Sequence, residues 1–563
     1  VNLLQATRGE IDKVEKYIQA DYVKDNEQTY RRLADVLIAE GRLPEAQQVL
    51  GMLKEEELSG FVRRDSKEIE SLAKRSDLRA NERSAVEKYS SYSDRVTSLA
   101  AELKNLDEKR RNLAPGDAFA DQTRYDELMG QVKDANTAFR VFLEKELAAE
   151  LGAEKKREID ADRALQGKLK QWGEGTVAIA TVLGGERYRV ILTTANVQVD
   201  GKSEISAADL NRKIFAFREA LLNPTADPRP LGKELYDILV KPIEKDLAAS
   251  KAKTLLWSLD GTLRYVPVAA LWDGEQYLVE KFQNVVLTST TRQSLQAEVV
   301  NQWNVLGAGV TKASQVTDAN TSRKIAFDPL VGVGRELSAI TGSRSQNENA
   351  PGVTLLDAAF TEQALKQQLG LTVANKRRFN VIHFATHFRL GSDTSDSFLL
   401  LGNNAALTLA DVADSPEMNL TDVELVTLSA CNTGFGGIEA KKELEQNNGK
   451  EVDSLAQFIE LRGAKSVMAT LWAVVDESTA LLMGEFYRLR AANPAWTKAE
   501  ALRKAQIALL TGEKKGSPLN RRRSDPIDMG DSGPKQPSFK ADPARPFAHP
   551  HYWAPFVMIG NWR

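Results

Sequence analysis

Two short stretches carry the residue types that suit nucleophilic catalysis. Leu428-Ser429-Ala430-Cys431-Asn432-Thr433-Gly434 holds the single cysteine of a 563-residue chain. Val381-Ile382-His383-Phe384-Ala385-Thr386-His387 holds two of its four histidines. Each is a short apolar, β-prone run that stops at a polar, reactive residue. A thiol attacks as its thiolate, and a neighbouring imidazole takes the proton and later hands it to a leaving amine. Fixed N–H donors must then meet the tetrahedral oxyanion. On that chemistry Cys431 is the candidate nucleophile and His387 the candidate base. Gly434, Gly436 and Gly437 give the following loop the backbone freedom to bring N–H groups and substrate together. A lone cysteine is more often a small buried hydrophobe, so the neighbouring segments decide how much weight the pairing carries.

The elements that must deliver these residues are legible. Glu424-Leu425-Val426-Thr427-Leu428-Ser429 suits a strand buried on both faces of a parallel sheet. Such sheets gather their sites at the carboxyl ends of their strands. A strand over Trp303–Val310, a helix around Val333–Thr341, a strand at Val353–Leu356 and a helix around Thr361–Leu369 lead into the strand ending at His387. That order predicts a mostly parallel sheet sandwiched by helices. After Cys431, the polar run Ile438–Gly449 reads as a solvated loop or as an activation loop that orders when a partner binds. A helix at Val452–Leu461, a strand at Ser466–Trp472 and helices at about Asp476–Arg490 and Thr497–Leu510 follow.

Four motifs in order extend the pattern. They are His383-Phe384-Ala385-Thr386-His387, Asp396-Ser397-Phe398-Leu399-Leu400-Leu401-Gly402, the cysteine segment, and Gly463-Ala464-Lys465-Ser466-Val467-Met468-Ala469-Thr470-Leu471-Trp472. Together they resemble the CHAT family, caspase-like proteins associated with TPR repeats and related to separases and caspases. The resemblance runs from about Gly175 to Arg563. It implies an α/β caspase-like sandwich, here preceded by an all-α TPR and helical-hairpin region, and a cysteine endopeptidase activity. By the same resemblance His387 is the general base, Cys431 the nucleophile, and the backbone N–H groups of Phe388 and Cys431 the oxyanion hole. It implies a dyad that uses no metal and no cofactor, with His383 structural. One residue departs from the pattern: relatives usually carry Gly after the catalytic His, and Phe388 stands there, so its side chain must point away from the substrate.

Relatives with acidic pockets cleave after Arg or Lys, because carboxylate–guanidinium pairing is strong and directional. The candidate pocket carboxylates are Asp396 and Asp476. Asp476 ends Leu471-Trp472-Ala473-Val474-Val475-Asp476, which is similar to the separase stretch Leu-Trp-Asp-Val-Thr-Asp, with Ala473 in place of the first Asp. The plainer reading of Asp476 is a helix cap. The implied partners are a protein substrate and a regulatory protein engaging the helical N-terminal region, in a bacterial defence or programmed-death setting. A catalytically silent TPR-CHAT scaffold is the alternative. A zinc site on His383 and His387 lacks the glutamate of the His-Glu-x-x-His spacing.

The rest of the chain divides by period. Residues 1–50 read as the end of a TPR-like array: Leu33, Val36 and Leu37 lie on one helix, Gly41-Arg42 form a turn, and Ala46, Val49 and Leu50 lie on the next. Residues 51–172 read as a long helical hairpin. Its first seam is Val96, Leu99, Leu103, Leu106 and Leu113, its break is Ala114-Pro115-Gly116, and its second seam is Leu128, Val132, Ala135, Phe139 and Phe142. The hairpin is either a plain bundle seam or a lever reporting partner binding. Residues 173–302 read as a non-catalytic subdomain. It has a β-hairpin over Thr176–Leu192, helices at Ala207–Leu222 and Pro230–Leu247, a strand at Thr254–Leu259, a turn at Asp260-Gly261 and a further β-prone run at Tyr265–Leu271. Residues 303–563 are the catalytic subdomain, with a flexible insert at about 512–547 that contains Arg521-Arg522-Arg523, read as solvated loop, nucleic-acid patch or self-cleavage site. The closing run His549–Trp562 is expected to pack into the core. A net charge of −3 and 42% hydrophobic residues suit an ordinary soluble protein and give no global basic excess for nucleic acid. No run approaches a membrane span. A single cysteine fits a reducing, cytoplasmic setting. A start at Val1 rather than Met reads as a fragment, which leaves room for an upstream segment such as earlier repeats or a signal peptide.

Overall fold

The computed structural model describes residues 16–39, 41–62, 99, 102, 106, 120–141, 160–291, 295, 300, 302–317, 324–341, 352–373, 376–391, 394–429, 431–432, 449–473, 476–515 and 537–563. They fall into two compact units, Val1–Arg75 with Arg163–Arg563, and Ser76–Asp162.

The first unit begins with a helical hairpin, α1 (Lys16–Ala39) and α2 (Leu43–Val62), turned at Gly41 with φ +68°. A side chain is rarely tolerated at that left-handed angle. Tyr30, Ala34, Leu37 and Ile38 recur at helical spacing and are buried. Val36, expected on the same face, falls off that stripe and is 57% exposed. The stripe packs with Leu43, Ala46, Val49 and Leu50 onto Ala180, Val182 and Ile191 of the sheet described below.

In the second unit α3 (Gln122–Val141) buries Leu128, and Arg124 donates to Glu102 at 2.8 Å. Val96, Leu103, Leu113, the break at 114–116 and Phe142 lie outside the described residues.

A helix α4 (Asp160–Gln171) leads into β1 (Thr176–Leu183), β2 (Tyr188–Thr193) and β3 (Gln198–Ser203). Then come α5 (Ala207–Leu222), α6 (Arg229–Leu239), β4 (Thr254–Ser258), β5 (Gln283–Val286), β6 (Val305–Gly309), β7 (Ser314–Thr317), β8 (Lys324–Phe327), α7 (Val333–Thr341), β9 (Val353–Leu356) and α8 (Glu362–Gly370). The two-residue strands β10 (Thr372–Val373) and β11 (Lys376–Arg377) precede β12 (Val381–Ala385), β13 (Phe388–Arg389), β14 (Phe398–Leu400), β15 (Ala406–Thr408), β16 (Leu425–Leu428) and β17 (Cys431–Asn432). The chain closes with α9 (Lys450–Leu461), β18 (Ser466–Thr470), α10 (Asp476–Ala492), α11 (Lys498–Leu510) and β19 (Phe556–Gly560).

One 11-stranded sheet runs β3-β2-β1-β4-β5-β19-β18-β16-β12-β6-β9. Its neighbours are parallel except β1/β2, β2/β3 and β18/β19. The C-terminal strand β19 lies between β5 and β18, so the last residues of the chain join the two halves of the sheet. β3 was hidden in the sequence because Gln198-Val199-Asp200-Gly201-Lys202-Ser203 has no apolar run; it is an edge strand with a largely solvated face. Tyr265–Leu271 is not a strand: one 3-10 turn (Gly261–Tyr265) ends at its first residue and a second (Val268–Ala270) follows Pro267. Residues 537–539, placed by sequence in the flexible insert, bridge back to residues 225–227.

Register fixes which face carries which side chain. His383 pairs with Thr427, and Thr427 with Met468, so these three share a face, and Val467 and Ala469 point to the other. Helices α7 and α10 cover the first face and α9 the second. Glycines let α7 sit close: a Cβ on Gly309 would lie 2.6 Å from Val333 Cγ1, and one on Gly307 3.1 Å from Leu337. The sheet between helices is the fold class the motifs implied.

Candidate active site

The two catalytic candidates leave the main sheet side by side. β12 ends at Ala385 and its neighbour β16 at Leu428. Both chains then enter a second, four-stranded sheet of order β15-β14-β13-β17. There Phe388 pairs with Cys431 and Arg389 with Asn432, in parallel. The backbone of Cys431 thus stands opposite the residue that follows His387, although the two lie far apart in sequence. The side chains of Cys431 and Asp476 lie outside the described ones.

β14, built from the Phe398-Leu399-Leu400 run, supports this corner. Leu400 N–H donates to the His387 carbonyl at 2.9 Å, and Thr386 Oγ1 donates to the Leu400 carbonyl at 2.8 Å. With the His387 carbonyl turned toward β14, alternation along the strand points the Phe388 N–H and C=O toward β17. The Phe388 side chain is 3% exposed and packs in the core. The bulk that replaces the usual glycine is therefore buried and away from solvent.

His387 is 6% exposed and held on two sides. Its Nε2 lies 2.8 Å from the Asp328 carbonyl, and its ring lies 5.0 Å from that of Phe327. A carbonyl oxygen only accepts, so Nε2 carries the hydrogen and Nδ1 is the basic nitrogen. No residue type in the sequence marks a third member that would orient the imidazole. The orienting group is a backbone carbonyl, which leaves no mark on residue type.

His383 is fully buried between Glu336, at 3.0 Å from Nε2, and the Tyr487 hydroxyl, at 3.3 Å from Nδ1. Both of its nitrogens are engaged within the core, as its structural reading requires. Asp396 stands at the entrance to β14, partly exposed, and its Cβ would lie 2.5 Å from a side chain on Gly391. Gly391 and Asp396, on either side of that connection, therefore lie close together. Asp476 is the first residue of α10. A small apolar cavity between α9 and β18 is lined by Leu390, Val452, Leu455, Ala456, Val467, Ala469 and Thr470.

The CHAT domain matches residues 229–561, more than half of the chain. This chain belongs to the CHAT family. No curated protein matches it in sequence. Among solved structures, a loose likeness is to the separase–securin complex of Saccharomyces cerevisiae, with a TM-score of 0.39 at 8% identity, covering 71% of this chain and 31% of that one. The chain thus spans about a third of that protein's length.

Around this CHAT domain, the helix that follows the 433–448 segment is clamped at both ends. At its start, a buried cluster joins α9 to the N-terminal hairpin. Arg264 donates to Glu57 at 2.6 Å and to Asp453 at 2.9 Å, and Lys54 donates to the same Asp453 oxygen at 2.9 Å. Arg31 donates to both oxygens of Asp260, with the shortest contact 2.9 Å, and pairs with Glu27, which also takes Lys450. Burial alone would raise the Asp260 pKa, but the Arg31 charge and its hydrogen bonds, with Arg264, hold it below the usual carboxylate value. Gly449, the N-cap of α9, has φ +70°, and a Cβ there would lie 2.6 Å from Arg264 Cβ. Only a glycine lets the helix start so close to that arginine.

At its other end α9 carries Glu460, which accepts from Thr290 at 2.6 Å, from Thr291 at 3.0 Å and from Thr288. Burial pushes its pKa from 4.5 up to about 7, against the pull of those hydroxyls. Between those two values the native chain holds a proton that the unfolded chain has lost, so stability falls as pH rises through the window. The shift of about 2.5 corresponds to about 3 kcal/mol, fully expressed above pH 7. Glu460→Gln is expected to flatten the dependence of melting temperature on pH between 5 and 8, with the variant gaining on the wild type toward pH 8. Parallel melting curves would contradict the assignment.

Among the described residues, no helix is long and apolar enough to cross a membrane.

Proposed function

We propose that this CHAT protein is a cysteine endopeptidase of the caspase and separase type. The observation that carries the reading is the β13–β17 pairing, which sets the Cys431 backbone beside the residue after an oriented His387. In this reading the Cys431 thiol passes its proton to His387 Nδ1, and the thiolate adds to the scissile carbonyl carbon. The oxyanion is met by the backbone N–H groups of Phe388 and Cys431. As the C–N bond breaks, the imidazolium protonates the leaving amine. His387 then takes a proton from water, the hydroxide displaces the thiolate from the acyl-enzyme, and the thiol is restored. No metal or cofactor enters these steps.

The reading extends to selectivity and control. A basic residue before the cleaved bond is the preferred substrate, with Asp396 and Asp476 as the pocket carboxylates; the place of Asp396 on the loop between β13 and β14 supports it. Control by a protein partner acting on the helical N-terminal region is supported by the ion pairs that run from Glu27, Arg31, Lys54 and Glu57 to Lys450 and Asp453 of α9. The test is cleavage of a peptide library by the wild type and by Cys431→Ala. Cleavage after Arg or Lys that disappears in the variant supports the reading. Cleavage retained in the variant contradicts it.

A further inference from the structure

We infer that Glu336 is a positioning residue for the dyad, fixing the spacing between the strand that delivers His387 and the strand that delivers Cys431. The inference rests on the peptidase reading above. Glu336 lies in the first turn of α7 and has no exposed surface. Its Oε1 receives two groups at once: His383 Nε2 at 3.0 Å and the hydroxyl of Ser429. His383 sits four residues before His387 on β12, and Ser429 two residues before Cys431 at the end of β16. One carboxylate oxygen therefore ties together the two chains that carry the dyad.

The place of this tie matters. The paired register of β12 and β16 ends at Phe384 and Leu428, and the last described rung between them in the main sheet is Ser429 N–H to the Phe384 carbonyl at 2.9 Å, before the same two chains pair again as β13 and β17. Beyond that rung both chains turn into the small sheet, so an error in spacing here passes directly to His387 and Cys431. Glu336 acts at that last rung. One step back, the Tyr487 hydroxyl from α10 lies 3.3 Å from His383 Nδ1 and 3.2 Å from Thr427 Oγ1, bracing the same pair of strands. The segment that supplies Glu336 also supplies the Asp328 carbonyl that orients His387, eight residues earlier. A buried carboxylate is costly unless its hydrogen bonds are complete, and an aliphatic side chain would fill the space without that cost. The cross-strand hydrogen bonds are what an aliphatic side chain would not supply.

Both bonds end on Oε1, so a glutamine with its amide oxygen in that place keeps them, whereas alanine keeps neither. The experiment is the rate of Cys431 alkylation by iodoacetamide across pH 5–9 in the full chain, with melting temperatures measured alongside. The variants are His387→Ala, Glu336→Ala, Glu336→Gln and Ser429→Ala. Misplacement by about 1 Å costs about 100-fold in well-oriented reactions, so Glu336→Ala is expected to slow alkylation at pH 7 by about 10- to 100-fold and to move its midpoint up toward that of His387→Ala. Ser429→Ala is expected to show part of that slowing, with a modest fall in melting temperature from the lost hydrogen bond, and Glu336→Gln stays within about twofold of wild type. Should Glu336→Ala fail to fold, the Ser429 and glutamine variants decide. Ser429→Ala at the wild-type rate, or Glu336→Gln as slow as the alanine variant, overturns the inference while the dependence on His387 leaves the peptidase reading standing. Identical profiles for wild type and His387→Ala bring down that reading, and this inference with it.

Discussion

His387→Ala is expected to lower kcat/KM by about 10²- to 10⁴-fold while leaving the melting temperature close to wild type. The factor is what a positioned general base contributes. The thiol loses the acceptor for its proton, and the leaving amine loses its donor. The tautomer sharpens the expectation. With Nε2 held by the Asp328 carbonyl, Nδ1 is the nitrogen that would serve as base in the proposed mechanism. The corner keeps other supports when that imidazole is removed: Leu400 and Thr386 through backbone groups, and the buried Phe388 side chain. The check is kcat/KM on a cleaved peptide, paired with a thermal melt. A variant with wild-type activity would remove His387 from the mechanism. A collapse of the melting temperature would make its role structural.

The second large effect belongs to Arg264. Replacing it with alanine is expected to destabilise the chain by about 3–5 kcal/mol, the usual cost of stripping one partner from a buried ion pair. Arg264 is 3% exposed and bridges Glu57 of the hairpin and Asp453 of α9. Without it, two carboxylates face each other in the interior, with Lys54 the remaining cation at 2.9 Å from Asp453. A surface salt bridge would contribute less than about 1 kcal/mol, so urea unfolding separates the two cases. An unfolding midpoint equal to wild type would show that the hairpin is not tied to α9 through this residue.

Much of the site could be read in the chain because its parts are local. Apolar runs announced β12 and β16, and the candidate residues stood just beyond them. The helix starts were marked by capping residues such as Thr361 and Thr497, whose side chains accept from Ala364 and Glu500 N–H. What sequence hid was non-local. The small sheet pairs two-residue strands, too short for any periodicity. The charges that dock the hairpin on α9 are 399 residues apart for Lys54 and Asp453, and read singly each looks like part of a solvated helix face. Glu336 looks like an ordinary first-turn acid until the fold sets it under His383 and Ser429. The turn at Asp260-Gly261 was recognised, but not that its carboxylate is the buried partner of Arg31.

The measurement that decides whether Cys431 and His387 work as a dyad is intact mass after incubation with an arginine-containing, peptide-like electrophile. One covalent adduct is expected on the wild-type chain, lost in Cys431→Ala and strongly slowed in His387→Ala. An adduct that persists in Cys431→Ala, or equal labelling with and without His387, would contradict a Cys431–His387 dyad.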